Sequence, residues 1–331
     1  MSVNIQRFHQ VFLYQSRAPV PALLEDLEVL AGLDARAEAQ RSALAWGGWL
    51  TVITGGVMAL LTYGVWAGVE DREEEFTEAG VQLLGVTGAV GGVLLAVGLC
   101  LFFWRLLLKQ RDLDNRRYGL AQVLLQRLQV DLAPDAPVRL KLDLRPTDVH
   151  EKRVKQDLVG WWNTDFFVDP WFTLEGRLAD GTFLRIHMVE RLQKRERTKT
   201  SASGKSRTKT KRKGFAQLEV SVRVKPERYP GLERLKARVT HATRLPPSVA
   251  LERVRVAVDR LSLRARLSEE WVARPEKVAG APDAPASWRQ ALEKDDASRT
   301  ATMMLLSLYQ VLGHARRRAK QQAAHGRRGA V

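Results

Sequence analysis

AWGGWLTVITGGVMALLTYGVWAGV (residues 45–69) and AGVQLLGVTGAVGGVLLAVGLCLFFW (residues 79–104) decide the fold, because neither stretch contains a charged side chain. At 1.5 Å per residue, a helix of about 25 uncharged residues crosses a hydrocarbon core of roughly 30 Å with some tilt. Trp46 and Trp49, Tyr63 and Trp66, and Phe102, Phe103 and Trp104 stand near the ends of these runs, where amphipathic rings settle at a bilayer interface. Helices of soluble cores rarely run this far without a charge, so the pair predicts a transmembrane hairpin.

The charges around the two runs predict its orientation. Arg36 and Arg41 precede the first, and Arg105, Lys109, Arg111, Arg116 and Arg117 follow the second. The connection 70–78 holds Glu70, Asp71, Glu73, Glu74, Glu75 and Glu78 against Arg72 alone. Excess Lys and Arg mark the cytoplasmic side, so both termini are expected there and the acidic loop outside. Charges throughout the first forty residues leave no apolar core for a cleavable signal. No ionisable residue interrupts either run, so the usual mark of a proton relay or ion-transport site is missing.

Small residues recur at a spacing of four, as Gly47, Thr51, Gly55 and Ala59, then Gly64 and Gly68, and in the second run Gly88, Gly92, Ala96 and Cys100. Such ladders let helix backbones approach closely. Gly47, Gly55, Gly64, Gly68, Gly88 and Gly92 are therefore the expected packing positions, between the two helices or in a homo-oligomer.

Outside the spans, residues 1–44 are expected to form a cytoplasmic amphipathic helix, with Leu23, Leu27, Leu30 and Leu33 at helical spacing. Residues 105–132 are expected to prolong the second span as a cytoplasmic helix without a break, ending before Pro134 and Pro137. From Val138 the period changes to two, in Val138-Leu140-Leu142-Leu144, Leu218-Val220-Val222-Val224, Val254-Val256-Val258 and Leu261-Leu263-Ala265-Leu267. Asp180-Gly181 separates two apolar-patterned runs, as in a hairpin turn. Residues 133–273 thus read as a mainly antiparallel β domain of α+β class, with helix-capable stretches near 147–160 and 229–238. Trp161, Trp162 and Trp171 are expected to supply core volume rather than a stacking platform. Asp165, Asp169 and Asp180 lie near enough in sequence to suggest a carboxylate site, but Asp169-Pro170 and Asp180-Gly181 read better as turn chemistry. Residues 274–296 form a linker rich in Pro and Ala, and 297–331 an amphipathic helix with a basic tail, capped by Asp296 or Ser298.

Residues 191–213 stand apart. They hold eleven basic residues, Arg191, Lys194, Arg195, Arg197, Lys199, Lys205, Arg207, Lys209, Lys211, Arg212 and Lys213, against Glu196 alone. With almost no apolar side chain, the segment is expected to remain a disordered hairpin tip. The chain as a whole carries a formal charge of +16, which implies anionic partners. Docking on the anionic inner leaflet, where each basic residue contributes about 1 kcal/mol, is the first expectation. Nucleic-acid binding through phosphates and an idle solvated loop are the others. Ser201, Ser203, Ser206 and Thr210 are sites where phosphate would weaken lipid docking.

The six histidines are scattered and the single cysteine, Cys100, lies in an apolar run, so no metal or cofactor site is expected. Gly204-Lys205-Ser206 lacks the earlier glycine of a phosphate-binding loop. No catalytic motif is recognisable. The sequence reads as a membrane-anchored cytoplasmic interaction or regulatory protein with anionic lipid and an unknown protein as partners. An oligomeric channel or transport accessory, or a membrane-tethered nucleic-acid-binding protein, are the alternatives.

Overall fold

A computed structural model describes residues 8, 11–70, 77–108, 113–133, 136–201, 203–274 and 294–328. The chain divides into two compact units, Val29–Leu113 and the remainder, Met1–Glu28 with Asp114–Val331. Most of the acidic loop, the basic residues Lys109 and Arg111, and nearly all of the linker 274–296 lie outside the described residues.

The smaller unit is helical. Helix α1 (Val20–Glu70) is one uninterrupted helix of 51 residues, and α2 (Glu78–Leu108) follows. Both are long and apolar enough to cross a membrane. At 1.5 Å per residue α1 is roughly 75 Å long, more than twice a hydrocarbon core, so residue 45 is no structural boundary. The two helices meet at Gly48, Gly55, Gly91 and Gly98. A Cβ on Gly55 would stand 2.7 Å from the Gly91 carbonyl oxygen, and one on Gly98 would stand 2.5 Å from Val52 Cγ2 and 3.2 Å from the Gly48 oxygen. The expected ladder of four is only partly right. Gly47 and Gly88 meet Leu101 and Thr62 side chains at 3.6 and 3.5 Å, but Gly64, Gly68 and Gly92 face open space. The close positions repeat at seven, the spacing that keeps a seam on one side of both helices.

The expected helix over 105–132 is interrupted. Helix α2 ends at Leu108, and α3 (Asn115–Leu128) begins anew at Asp114, whose carboxylate accepts from Arg116 N at 3.0 Å. Asp-Asn is a cap signal that the continuous leucine spacing conceals.

The larger unit is built on an antiparallel sheet in the order β1-β2-β4-β5-β6-β8-β7, with β3 on β4. The strands are β1 (Leu13–Ala18), β2 (Val138–Asp143), β3 (Arg153–Val159), β4 (Trp162–Arg177), β5 (Phe183–Thr200), β6 (Ser206–Arg223), β7 (Ala250–Val256) and β8 (Arg260–Ser268). Strand β1 falls inside the segment expected to be purely helical. It forms because β2, distant in sequence, supplies its ladder, and because buried Tyr14 donates to Asp26 at 2.9 Å. The stretch 147–160, expected to be helix-capable, gives only a short turn at His150–Lys152 before β3. Between Asp169 and Phe172 strand β4 bulges. Pro170, which lacks an N–H for the ladder, sits in that bulge.

One face of the sheet is the core. Leu140 and Leu142, Leu184, Ile186 and Met188, Leu218, Val220 and Val222, and Leu261, Leu263 and Leu267 alternate along their strands and are buried. Helix α5 (Ala297–Arg328) packs on β6 and β8 and touches α3 and α4 (Lys236–Ala242). Its apolar side, from Ala301 through Leu308 to Ala315, is buried there. Asp296 Oδ1 caps it, accepting from Arg299 N at 2.8 Å.

Candidate anion-binding face

The segment expected to be disordered is paired throughout: Arg191–Thr200 and Ser206–Lys213 continue β5 and β6 residue for residue, from Arg191↔Phe215 to Thr200↔Ser206. Burial is not what orders it. Thr198 and Thr208 face each other with hydroxyls 3.0 Å apart, and Thr200 and Ser206 at 3.1 Å. Cross-strand threonine pairs and β-branching favour a strand without a core. The turn closes through Ser201 N to the Lys205 oxygen at 2.9 Å, with Gly204 at φ +76°, a conformation that suits glycine.

Side chains alternate across a strand and directly opposed residues share a face. Register therefore sorts the eleven basic residues. Arg191, Arg195, Arg197, Lys199, Arg207, Lys209, Lys211 and Lys213 share the face that the helices leave open. Lys194 and Arg212 lie on the opposite face, where Arg212 reaches Asp148 at 3.6 Å and Lys194 reaches Glu196 at 3.5 Å. Lys205 sits in the turn. On the open face Arg195↔Lys211, Arg197↔Lys209 and Lys199↔Arg207 oppose like charge to like charge, which destabilises the pairing unless an anion intervenes. Ser206 and Thr210 project from the other face, so phosphate there would not enter this row.

Strands β3 and β4 flank the row. Arg197 stacks over Trp161 at 5.9 Å and Lys211 over Trp162 at 5.3 Å. Trp161 is 80% exposed, and Val159 of edge strand β3, paired with Trp162 on the same face, is exposed as well. Sequence reasoning placed Trp161 and Trp162 in the core. The signal it passed over was the period-two alternation of base and threonine in RERTKT and RTKTKRK (residues 195–200 and 207–213), which is a strand pattern.

Trp171, by contrast, is fully buried and stacks on Trp271 at 5.6 Å. Beside it Arg117 binds Asp169 at 2.8 Å and Glu190 at 2.6 Å, and Lys152 binds the other Asp169 oxygen at 2.9 Å. Asp169 is therefore no turn residue but the buried centre of an ion cluster at the β4 bulge. Burial pushes its carboxyl above the ordinary range while Arg117 and Lys152 pull the other way. Burial also opposes the charge on Arg117, but Glu190 and Asp169 hold it above the usual arginine value. Asp180, as expected, serves its turn, accepting from Thr182 N at 2.8 Å. Among the described residues no group of His, Cys, Asp and Glu is arranged to hold a metal ion.

Comparison of the chain with protein-family profiles, with curated proteins and with solved structures finds no match.

Proposed function

We propose that this chain is a two-pass membrane protein with both termini in the cytoplasm. In this reading its sheet domain docks on anionic lipid through the open face of the β5–β6 hairpin. Support for insertion comes from α1 and α2, whose most apolar stretches are only 11% buried within the protein. Trp46, Leu60, Leu83 and Leu99 stand more than half exposed, an arrangement that lipid tolerates and water does not. Arg36, Arg41 and Arg105 at one end against Glu70 and Glu78 at the other support the orientation.

The observation that carries the docking proposal is the pairing of an unneutralised basic row with an exposed apolar margin. Phosphate contacts alone explain Arg197, Lys199, Arg207 and Lys209 equally well on nucleic acid or on lipid. They give no reason for Val159 and Trp161 to be exposed on the same face. An interface in which cations meet headgroups while Trp and aliphatic side chains enter the acyl boundary accounts for both.

The test uses the full chain in nanodiscs of neutral lipid, floated with separate liposomes. Liposomes containing phosphatidylglycerol should carry the nanodiscs upward and pure phosphatidylcholine should not. The fourfold variant R197Q/K199Q/R207Q/K209Q should abolish the difference. Undiminished flotation of that variant, or preferential capture of the wild type by single-stranded RNA, would overturn the proposal.

A further inference from the structure

At the other end of the same open face lies a second cationic feature, a cavity of about 560 Å³ within the sheet unit, in the size range of small-molecule sites. Three successive cross-strand rows form it. The outermost is Arg177↔Phe183↔Arg223↔Arg260, running over β4, β5, β6 and β8. The next is Glu175↔Arg185↔Ser221↔Ser262↔Arg255, and the third brings His187 opposite Glu219. Lys225 and Gly181 complete the wall.

The charge balance of this cavity is one-sided. Arg185 has Glu175 at 3.4 Å, Arg223 has Asp259 at 2.7 Å, and Glu219 is taken by Arg264 at 2.6 Å. Arg177, Arg255, Arg260 and Lys225 have no carboxylate within ion-pair distance among the described residues. Arg223 and Arg260 oppose each other directly, and of the two only Arg223 has a carboxylate within ion-pair distance among the described residues. Burial foremost, then Arg185, holds His187 below the ordinary imidazole value while Glu219 pulls the other way. Phe183 interrupts the outer row, 38% exposed between Arg177 and Arg223. Guanidinium groups bind phosphate oxygens in pairs, and an exposed ring among them offers a face for stacking.

We propose that this cavity binds a small molecule carrying a di- or triphosphate and a planar aromatic group, the chemistry of a nucleoside polyphosphate. Arg177, Arg223, Arg255 and Arg260 hold the phosphates, Ser221 and Ser262 donate hydroxyl hydrogen bonds, and Phe183 stacks on the base. This site is separate from the lipid-docking row and stands whether or not that row binds lipid.

Titration calorimetry on the full chain in neutral nanodiscs, with ATP and with inorganic tripolyphosphate as probes, tests it. Both should bind. R177Q/R260Q should weaken both by about ten-fold or more, since each substitution removes a charged hydrogen bond to phosphate. Phe183→Ala should weaken ATP and leave tripolyphosphate unchanged. The hairpin variant R197Q/K199Q/R207Q/K209Q should bind both as the wild type does. Equal loss in the hairpin variant would reduce the site to diffuse attraction of polyanions and overturn the proposal. Undiminished binding by R177Q/R260Q would do the same. An ATP affinity unaffected by Phe183→Ala would remove the nucleoside from it.

Discussion

Tryptophan meets arginine twice in the sheet unit, under opposite conditions. At the β4 bulge Arg117 lies over Trp171 at 5.2 Å and Arg116 over Trp271 at 5.0 Å. There Asp169, Glu190 and Asp114 balance the guanidinium charge. On the projecting hairpin Arg197 and Lys211 lie over Trp161 and Trp162 at similar distances, yet the nearest carboxylate of the strand, Glu196, is on the other face. The first cluster is closed upon itself and its work is cohesion. It joins α3 to β4, β5 and the segment after β8, with Trp271 Nε1 donating to Glu190 at 3.0 Å. The second has the same chemistry with its charge left open, and open charge on an exposed face is available to a partner.

The largest effect should come from opening the closed cluster. Arg117→Met leaves Asp169 fully buried and Glu190 half-buried, with Lys152 as the sole remaining ion-pair partner of Asp169. Removing one partner of a buried ion pair costs about 3–5 kcal/mol, so the sheet unit should lose that much in chemical denaturation followed by far-ultraviolet circular dichroism. A loss below about 1 kcal/mol would break the contrast, because the buried cluster would then be as dispensable as a surface pair. The same arrangement makes a fragment starting near residue 132 a poor substitute for the whole chain. It would lack α3, which carries Arg117, and β1, which pairs with β2.

A smaller effect is expected where the same distinction between filled and open space arises in the helical unit. A Cβ at Gly98 would stand 2.5 Å from Val52 Cγ2 and 2.7 Å from Thr51 Oγ1, whereas Gly92 has nothing within 4 Å. Gly98→Leu should destabilise the helix pair by about 1–3 kcal/mol, the usual cost of overpacking. Gly92→Leu should leave it unchanged. Unfolding in mixed micelles with increasing sodium dodecyl sulfate reads both. Equal sensitivity would mean that the seam of seven is not the contact the helices use.

Legibility followed the same division between local pattern and distant partner. The apolar runs, the Asp180-Gly181 hairpin and the period-two strands were readable because each is specified by neighbours in sequence. Strand β1 was not, because its partner lies more than a hundred residues away. Nor was Asp169, since Asp-Pro reads as a turn until Arg117 and Lys152 converge on it. The glycine ladder was half readable: spacing identifies small residues but not the phase in which two helices meet. The basic tract misled for an instructive reason. Its composition fits disorder, but its alternation fits a strand, and a hairpin already begun by buried Leu184, Ile186 and Met188 needs only β-forming residues to continue.

The smallest change in stability and the sharpest test of the comparison belong to Trp161. Its ring is exposed and contributes no core volume, so Trp161→Ala should shift the unfolding free energy of the sheet unit by no more than about 0.5 kcal/mol. Trp271→Ala, from the closed cluster, should cost about 3–5 kcal/mol. If the hairpin face meets lipid, the order reverses for flotation with phosphatidylglycerol liposomes. Trp161→Ala should weaken it clearly, because an indole at the headgroup level anchors what the cations attract. Trp161→Phe should recover part of the loss through its apolar ring. A variant that floats as well as the wild type would leave the cations as the whole of the attraction. The exposed margin of Val159 and Trp161 would then have to be explained by a protein strand added at the open edge of β3.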